Sequence, residues 1–150
     1  MARASLTGFD KMEKMLQGIA DPTSMAIKAT TRAAPILEES VRSNIRASAN
    51  RINKKNKKPY STGELEKSII ATPAKKNQYG VFSVVKPNGT DKRGIPNALK
   101  ANILEYGTHA YVEGKNQEPH PFIQKSVNQA RQKCEEIMQR ELDEAVAKLW

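Results

Sequence analysis

Apolar residues return at every fourth position from residue 25 onward: Met25, Ala29, Ala33, Leu37, Val41, Ile45 and Ala49. One such stripe predicts a helix over about 22–50, with a single face packed on a sheet. Asp21-Pro22 supplies its start, because Asp caps well and Pro suits the first helical position. Pro35 lies within the run, where it removes a backbone donor, and predicts a kink or a division into two helices. A second stripe of Ile123, Val127, Ala130, Cys134, Ile137, Met138, Leu142, Ala145 and Leu149 predicts a helix over about 121–149. Pro119 and Pro121 stiffen the approach to it. Outside that stripe, Glu136 with Arg140 and Glu144 with Lys148 are well-oriented pairs four residues apart. Glu141, Asp143 and Glu144 fall near the C-terminus, where the helix dipole disfavours acids. Together with Trp150 they are candidates for a subunit contact that brings basic groups. Ahead of both long helices, Leu6, Phe9, Met12, Leu16 and Ile19, with Met15 beside them, predict a short amphipathic helix ended near 18–21. Its stripe suits core or a subunit contact better than a membrane surface, since Asp10 and Glu13 offset Lys11 and Lys14.

Between the helices the period shortens. Ser61-Thr62-Gly63-Glu64 predicts a capping box and one helical turn through Ser68. Residues 69–71 follow as a strand, 75–78 as its turn, and 79–86 (YGVFSVVK) as a second strand rich in β-branched and aromatic residues. Pro87-Asn88-Gly89-Thr90 marks another turn. A short helix over 96–102 leads into Ile103-Leu104-Glu105-Tyr106 as a turn or strand. Gly107 then supplies a backbone angle that larger residues resist, and 110–112 form a last short strand. The whole is predicted to be one α+β domain over 1–150, with a long N-terminal and a long C-terminal helix packed on a small, mainly antiparallel sheet. Each long helix would measure about 40 Å, against a radius of gyration of about 15 Å for a compact chain of this length. A sheet of three or four strands leaves part of such helices uncovered, which points to self-assembly.

Composition sharpens that expectation. Only 38% of the chain is hydrophobic and 5% aromatic, lean beside the usual ~45–50% apolar content. The net charge of +9 is uneven: residues 1–100 carry 19 basic against 8 acidic side chains, and residues 101–150 carry 6 against 8. Such a split suits association with nucleic acid or with an acidic protein face. Its densest part is the loop over 50–62, where Arg51, Lys54, Lys55, Lys57 and Lys58 crowd together without an acid. Two readings stand beside each other there, a contact for DNA phosphates or an acidic protein surface and a merely solvated loop. The chemical inventory excludes much else. His109, His120 and the single cysteine do not make a structural zinc site. Cys134 fits a core position, and no internal disulfide exists. Glu105 and His109 would make an acid–base pair, but no nucleophile or second carboxylate stands near them in sequence. No glycine loop cradles phosphate. The expectation is a protein without catalytic residues, cofactor or metal, synthesised in the cytosol because no apolar leader or membrane span is visible.

Three short segments carry a resemblance: Thr62-Gly63-x-Leu65-x-x-Ser68-Ile69, then Ile103-Leu104-Glu105-Tyr106-Gly107-Thr108, then Pro121-Phe122-Ile123. In this order and rough spacing, over about 22–148, the chain resembles the tail-component family of long-tailed double-stranded DNA bacteriophages and prophages, the neck or tail-completion proteins. The resemblance implies a structural virion protein that assembles as a ring, six copies being usual for such tails. That ring would complete the tail and join it to the capsid portal complex, with DNA passing through its lumen. Its partners would be portal-side neck proteins and the tail tube protein, and no membrane. Neck, tail-terminator and tail-completion roles differ in partners rather than subunit chemistry and stay open. Gly107, Pro121 and Phe122 would shape the fold, and the 51–58 cluster would dock on an acidic ring or tube surface. The rival reading is a basic DNA-binding accessory protein that uses the same loop.

Overall fold

The computed structural model describes residues 22–49, 62–108 and 118–148. The amphipathic segment 6–19, the possible Ser61 cap, the basic cluster 51–58, the strand expected at 110–112 and Trp150 lie outside the described residues. Two long helices dominate, α1 (Pro22–Ala49) and α4 (Phe122–Ala147). They run antiparallel. Arg32 near the start of α1 pairs with Glu141 near the end of α4, whereas Ser40 bonds to Ser126 near the start of α4.

The stripe expected on α1 is the one that is used. Ala33, Val41 and Ile45 are buried, and Leu37 packs against the core. Pro35 sits inside this helix without dividing it. Thr31 and Pro35 are both exposed, so the carbonyl left without an amide partner is on the side where water satisfies it cheaply. On α4 only part of the expected stripe turns inward: Ala130 is buried and Cys134, Ile137 and Ala145 are half-buried. Phe122, Ser126, Ala130 and Glu141 are buried, while Ile123, Val127, Met138 and Leu142 face outward. Polar pairing explains the departure. Asn44 on α1 donates to Ser126 Oγ (3.0 Å) and Gln129 Oε1 (2.7 Å), and Ser126 Oγ donates to the Phe122 carbonyl (2.6 Å). With their polar groups paired, small residues bring the helices close at little desolvation cost. The outer ion pairs also differ from expectation: Arg131 pairs with Glu135, and neither Glu136–Arg140 nor Glu144–Lys148 is among the pairs of the described residues.

A short helix α2 (Glu64–Ser68) leads into an irregular hairpin of β1 (Ile69–Ala71), β2 (Lys75–Asn77), β3 (Gly80–Phe82) and β4 (Val85–Pro87). Gly63, at φ +74°, is the N-cap of α2, with no side chain bonded there. Strand β1 pairs antiparallel with β4, and β2 with β3. Residues 75–77, expected as a turn, are therefore a strand, and the strand expected over 79–86 is two. Ala71 faces Val85 and Lys75 faces Phe82. Thr72-Pro73-Ala74 thus opposes only Ser83-Val84, which is a bulge of one residue. Pro73 has no amide to continue the ladder. Thr72 holds the join instead, its amide donating to the Val84 carbonyl and its hydroxyl accepting from the Val84 amide, both at 2.9 Å. The outer edge of β1 is covered by α1: Glu38 accepts from the Ala71 amide (2.9 Å) and Arg42 donates to the Ile69 carbonyl (2.7 Å).

Residues 103–106, expected as a turn or strand, are instead the last turn of helix α3 (Asn97–Tyr106). Asn97, Ala101 and Glu105 fall at four-residue steps and are all buried. That common face continues the helix past the strand-like Ile103-Leu104. The core lies where all these elements meet: Val41, Ile45, Ile69, Ala101 and Phe122, backed by Leu37, Leu65, Val85 and Leu104.

Before α3, Asp91 holds its own loop. Its carboxylate accepts from the Arg93 and Ile95 amides at 2.8 Å and pairs with Lys100 Nζ. Lys100 first, then the backbone amides, depress its pKa from 3.8 to about 2. A depressed carboxylate stabilises the fold above its unfolded pKa and loses that effect as pH falls through the folded value. Asp91→Asn is therefore expected to melt below the parent at neutral pH. The gap should close between about pH 4 and pH 2, measured as melting temperature against pH.

Candidate functional site

The stretch 101–126 folds back on itself. Glu105, only 7% exposed, ends α3 beneath the start of α4. Its Oε2 accepts from the Ile123 amide (2.8 Å) and its Oε1 from the Gln124 amide (3.4 Å). These are first-turn donors with no partner inside the helix, and the carboxylate also meets the positive end of the helix dipole. The Leu104 carbonyl accepts from the His120 amide at 2.8 Å, a second tie across the same joint. Gly107 leaves α3 at φ +73°, a region costly for other residues, and its amide closes the helix on the Ile103 carbonyl. Thr108 is half-buried. Pro121 is exposed at the N-cap of α4, and Phe122 follows it into the core. The Glu-Tyr-Gly-Thr and Pro-Phe segments thus form one joint.

The first segment leads into β1. Leu65 packs on the core. Ser68 Oγ donates to the Leu65 carbonyl (2.7 Å), and the Ser68 carbonyl accepts from the Asn88 amide (2.8 Å) as the first rung beside β1.

Of the acids proposed as subunit contacts, Glu141 is buried and paired with Arg32 of its own chain. That engagement turns the carboxylate inward, toward α1. Asp143 and Glu144 are exposed, Asp143 accepting from Gln139 Nε2 (2.8 Å). Sequence reasoning passed over Asn44, Ser126 and Arg32. A signal for the first existed in Ser40, Asn44 and Ser48, a polar row at four-residue steps beside the apolar stripe.

Part of the uncovered surface is apolar. Seven hydrophobic residues are buried among the described residues, yet eleven large ones are exposed. Five of these form an outer seam on one side of α4, divided by the exposed Arg131–Glu135 pair into two patches, Ile123 with Val127 and Met138 with Leu142 and Val146. Its N-terminal half borders a shallow hollow between α1, α4 and the β1–β4 pair, lined by Leu37, Val41, Ile69, Val85, Lys86, Pro87 and Phe122 as well as Ile123 and Val127. Elsewhere Tyr79 projects from the hairpin tip, and Tyr106 is 73% exposed at the end of α3. Among the described residues no three metal-ligating side chains gather, and no helix is long and apolar enough to cross a membrane.

Compared with known protein families, with characterised proteins and with solved structures, the chain matches none.

Proposed function

We propose that this chain is a structural subunit of the neck or tail end of a long-tailed double-stranded DNA bacteriophage. It builds a ring that completes the tail and joins it to the portal complex. The observation that carries this reading is the outer seam of α4 opening into the apolar hollow beside β4. A soluble monomer rarely leaves apolar patches beside such a hollow uncovered. The order of the three short segments supports the phage assignment, since each sits at a joint of the fold: the turn into β1, the end of α3 and the start of α4. The work of the subunit is to bury surface against neighbours and bear load; no catalytic group is required.

Ile123→Asp with Val127→Asp puts two carboxylates on the hollow while sparing the core. In a host producing particles from this gene, joined particles should fall on the order of 100-fold, the scale of losing a central interface anchor. Free heads and free tails should accumulate under the electron microscope. Joined particles at parental yield, or tailed particles that lack the protein, would overturn the assignment. Steeply salt-dependent retention of DNA by the isolated protein, without rings, would favour the accessory DNA-binding reading instead.

A further inference from the structure

The geometry points to a binding track for single-stranded nucleic acid on the outer face of the hairpin, built from Lys75, Tyr79, Phe82 and Lys86. Side chains alternate along residues 81–87: Val81, Ser83, Val85 and Pro87 are half-buried, whereas Phe82, Val84 and Lys86 are exposed. Lys76, opposite Val81, fixes which way the ribbon faces, because its Nζ donates to Thr23 Oγ1 on α1 at 2.9 Å. The Lys75–Phe82 pair, one step along, therefore points away from α1. At the tip the Tyr79 amide donates to Asn77 Oδ1 (2.8 Å), and the Tyr79 side chain projects into solvent. This face and its tip thus carry two aromatic rings and two ammonium groups, with Val84 between Phe82 and Lys86.

Charge and area decide the occupant. No acid occurs between Glu66 and Asp91, a stretch that holds four lysines. Asp91 itself is engaged by Lys100, and Glu38 meets the sheet at its covered edge, beside Arg42. The outer face therefore favours an anion. Two strands about 5 Å apart and eight residues at about 3.3 Å make that face on the order of 250 Å². A stable protein partner needs about 800 Å² on each side, so the ribbon is too narrow to hold one alone. A polynucleotide strand needs less. Its bases stack on exposed rings whatever their sequence, and its phosphates take the cations. Phe82 and Tyr79 serve as the stacking rings and Lys75 and Lys86 as the phosphate contacts, over on the order of four nucleotides. Paired bases offer no free face to a ring, which sets the single strand above the duplex. The contact belongs to one chain, so it does not depend on assembly, and it is separate from the basic cluster at 51–58.

Fluorescence anisotropy of a fluorescein-labelled oligo(dT) with the full chain tests it. The parent should bind with a Kd of about 10 μM at low salt, within the range of sequence-independent contacts. Phe82→Ala and Tyr79→Ala change no charge and alter exposed side chains, and each should weaken binding about tenfold. Lys75→Gln with Lys86→Gln should reduce the slope of log affinity against log salt by about 1.4, two phosphates at about 0.7 each. Lys133→Gln removes an exposed cation from α4, away from the hairpin, and should leave the affinity within about twofold of the parent. Parental affinity in either aromatic variant would overturn the inference, and so would no binding at about tenfold that concentration. Equal affinity for the oligo(dA)·oligo(dT) duplex, or displacement by polyglutamate as readily as by unlabelled oligo(dT), would count equally against it.

Discussion

Phe122→Ala is expected to lower the free energy of unfolding by about 3–5 kcal/mol, the usual cost of emptying an aromatic site in a core. The ring is 2% exposed and clusters with Val41, Ile45, Ile69 and Ala101. Among the described residues it is the largest fully buried side chain, and few other apolar residues there are buried. Domains hold only about 5–15 kcal/mol in total, so a loss of this size removes a large share of the stability. Urea titration checks this through its midpoint at constant slope. A loss below about 1 kcal/mol would mean that α4 can repack without its first residue.

Glu105→Ala should be the next most damaging change, at about 2 kcal/mol, since it strips two first-turn amides of their acceptor and removes a charge from a helix N-terminus. Glu105→Gln keeps an acceptor without the charge and should cost about 1 kcal/mol. The effect has an address. Hydrogen exchange at the Ile123 and Gln124 amides should quicken in both variants, more in the alanine form, while amides in the middle of α1 keep the protection of the remaining global stability. Uniform loss of protection, with no excess at those two positions, would show that Glu105 supports the core rather than the helix start.

The two long helices and the α+β class were legible because each helix repeats its apolar residues over six or more turns, longer than any local preference can disguise. The facing of α4 was legible only in part: Ala130, Cys134, Ile137 and Ala145 turn inward as expected, and Ile123, Val127, Met138 and Leu142 do not. Its hydrophobic stripe and its buried stripe are neighbours, and the choice rests on Ser126 and Glu141 finding Asn44 and Arg32 on α1. No single-helix pattern contains that partner. The hairpin misled for a related reason: Lys75-Lys76-Asn77 is a poor strand by composition, and pairing with residues 80–82 makes it one. Glu105 stood out in sequence as part of a motif, but its work as a cap depends on amides eighteen and nineteen residues further on. The basic cluster at 51–58 lies outside the described residues.

The outer seam and its hollow are explained here as surfaces finished by further copies of the same chain. Mass measurement of the purified protein across a dilution series, by sedimentation velocity or native mass spectrometry, reads that directly. A single closed species is expected, a hexamer if the resemblance to phage neck proteins holds, and Ile123→Asp with Val127→Asp should reduce it to protomers. A parent chain that stays monomeric at tens of micromolar, binding no hydrophobic dye, would contradict the account.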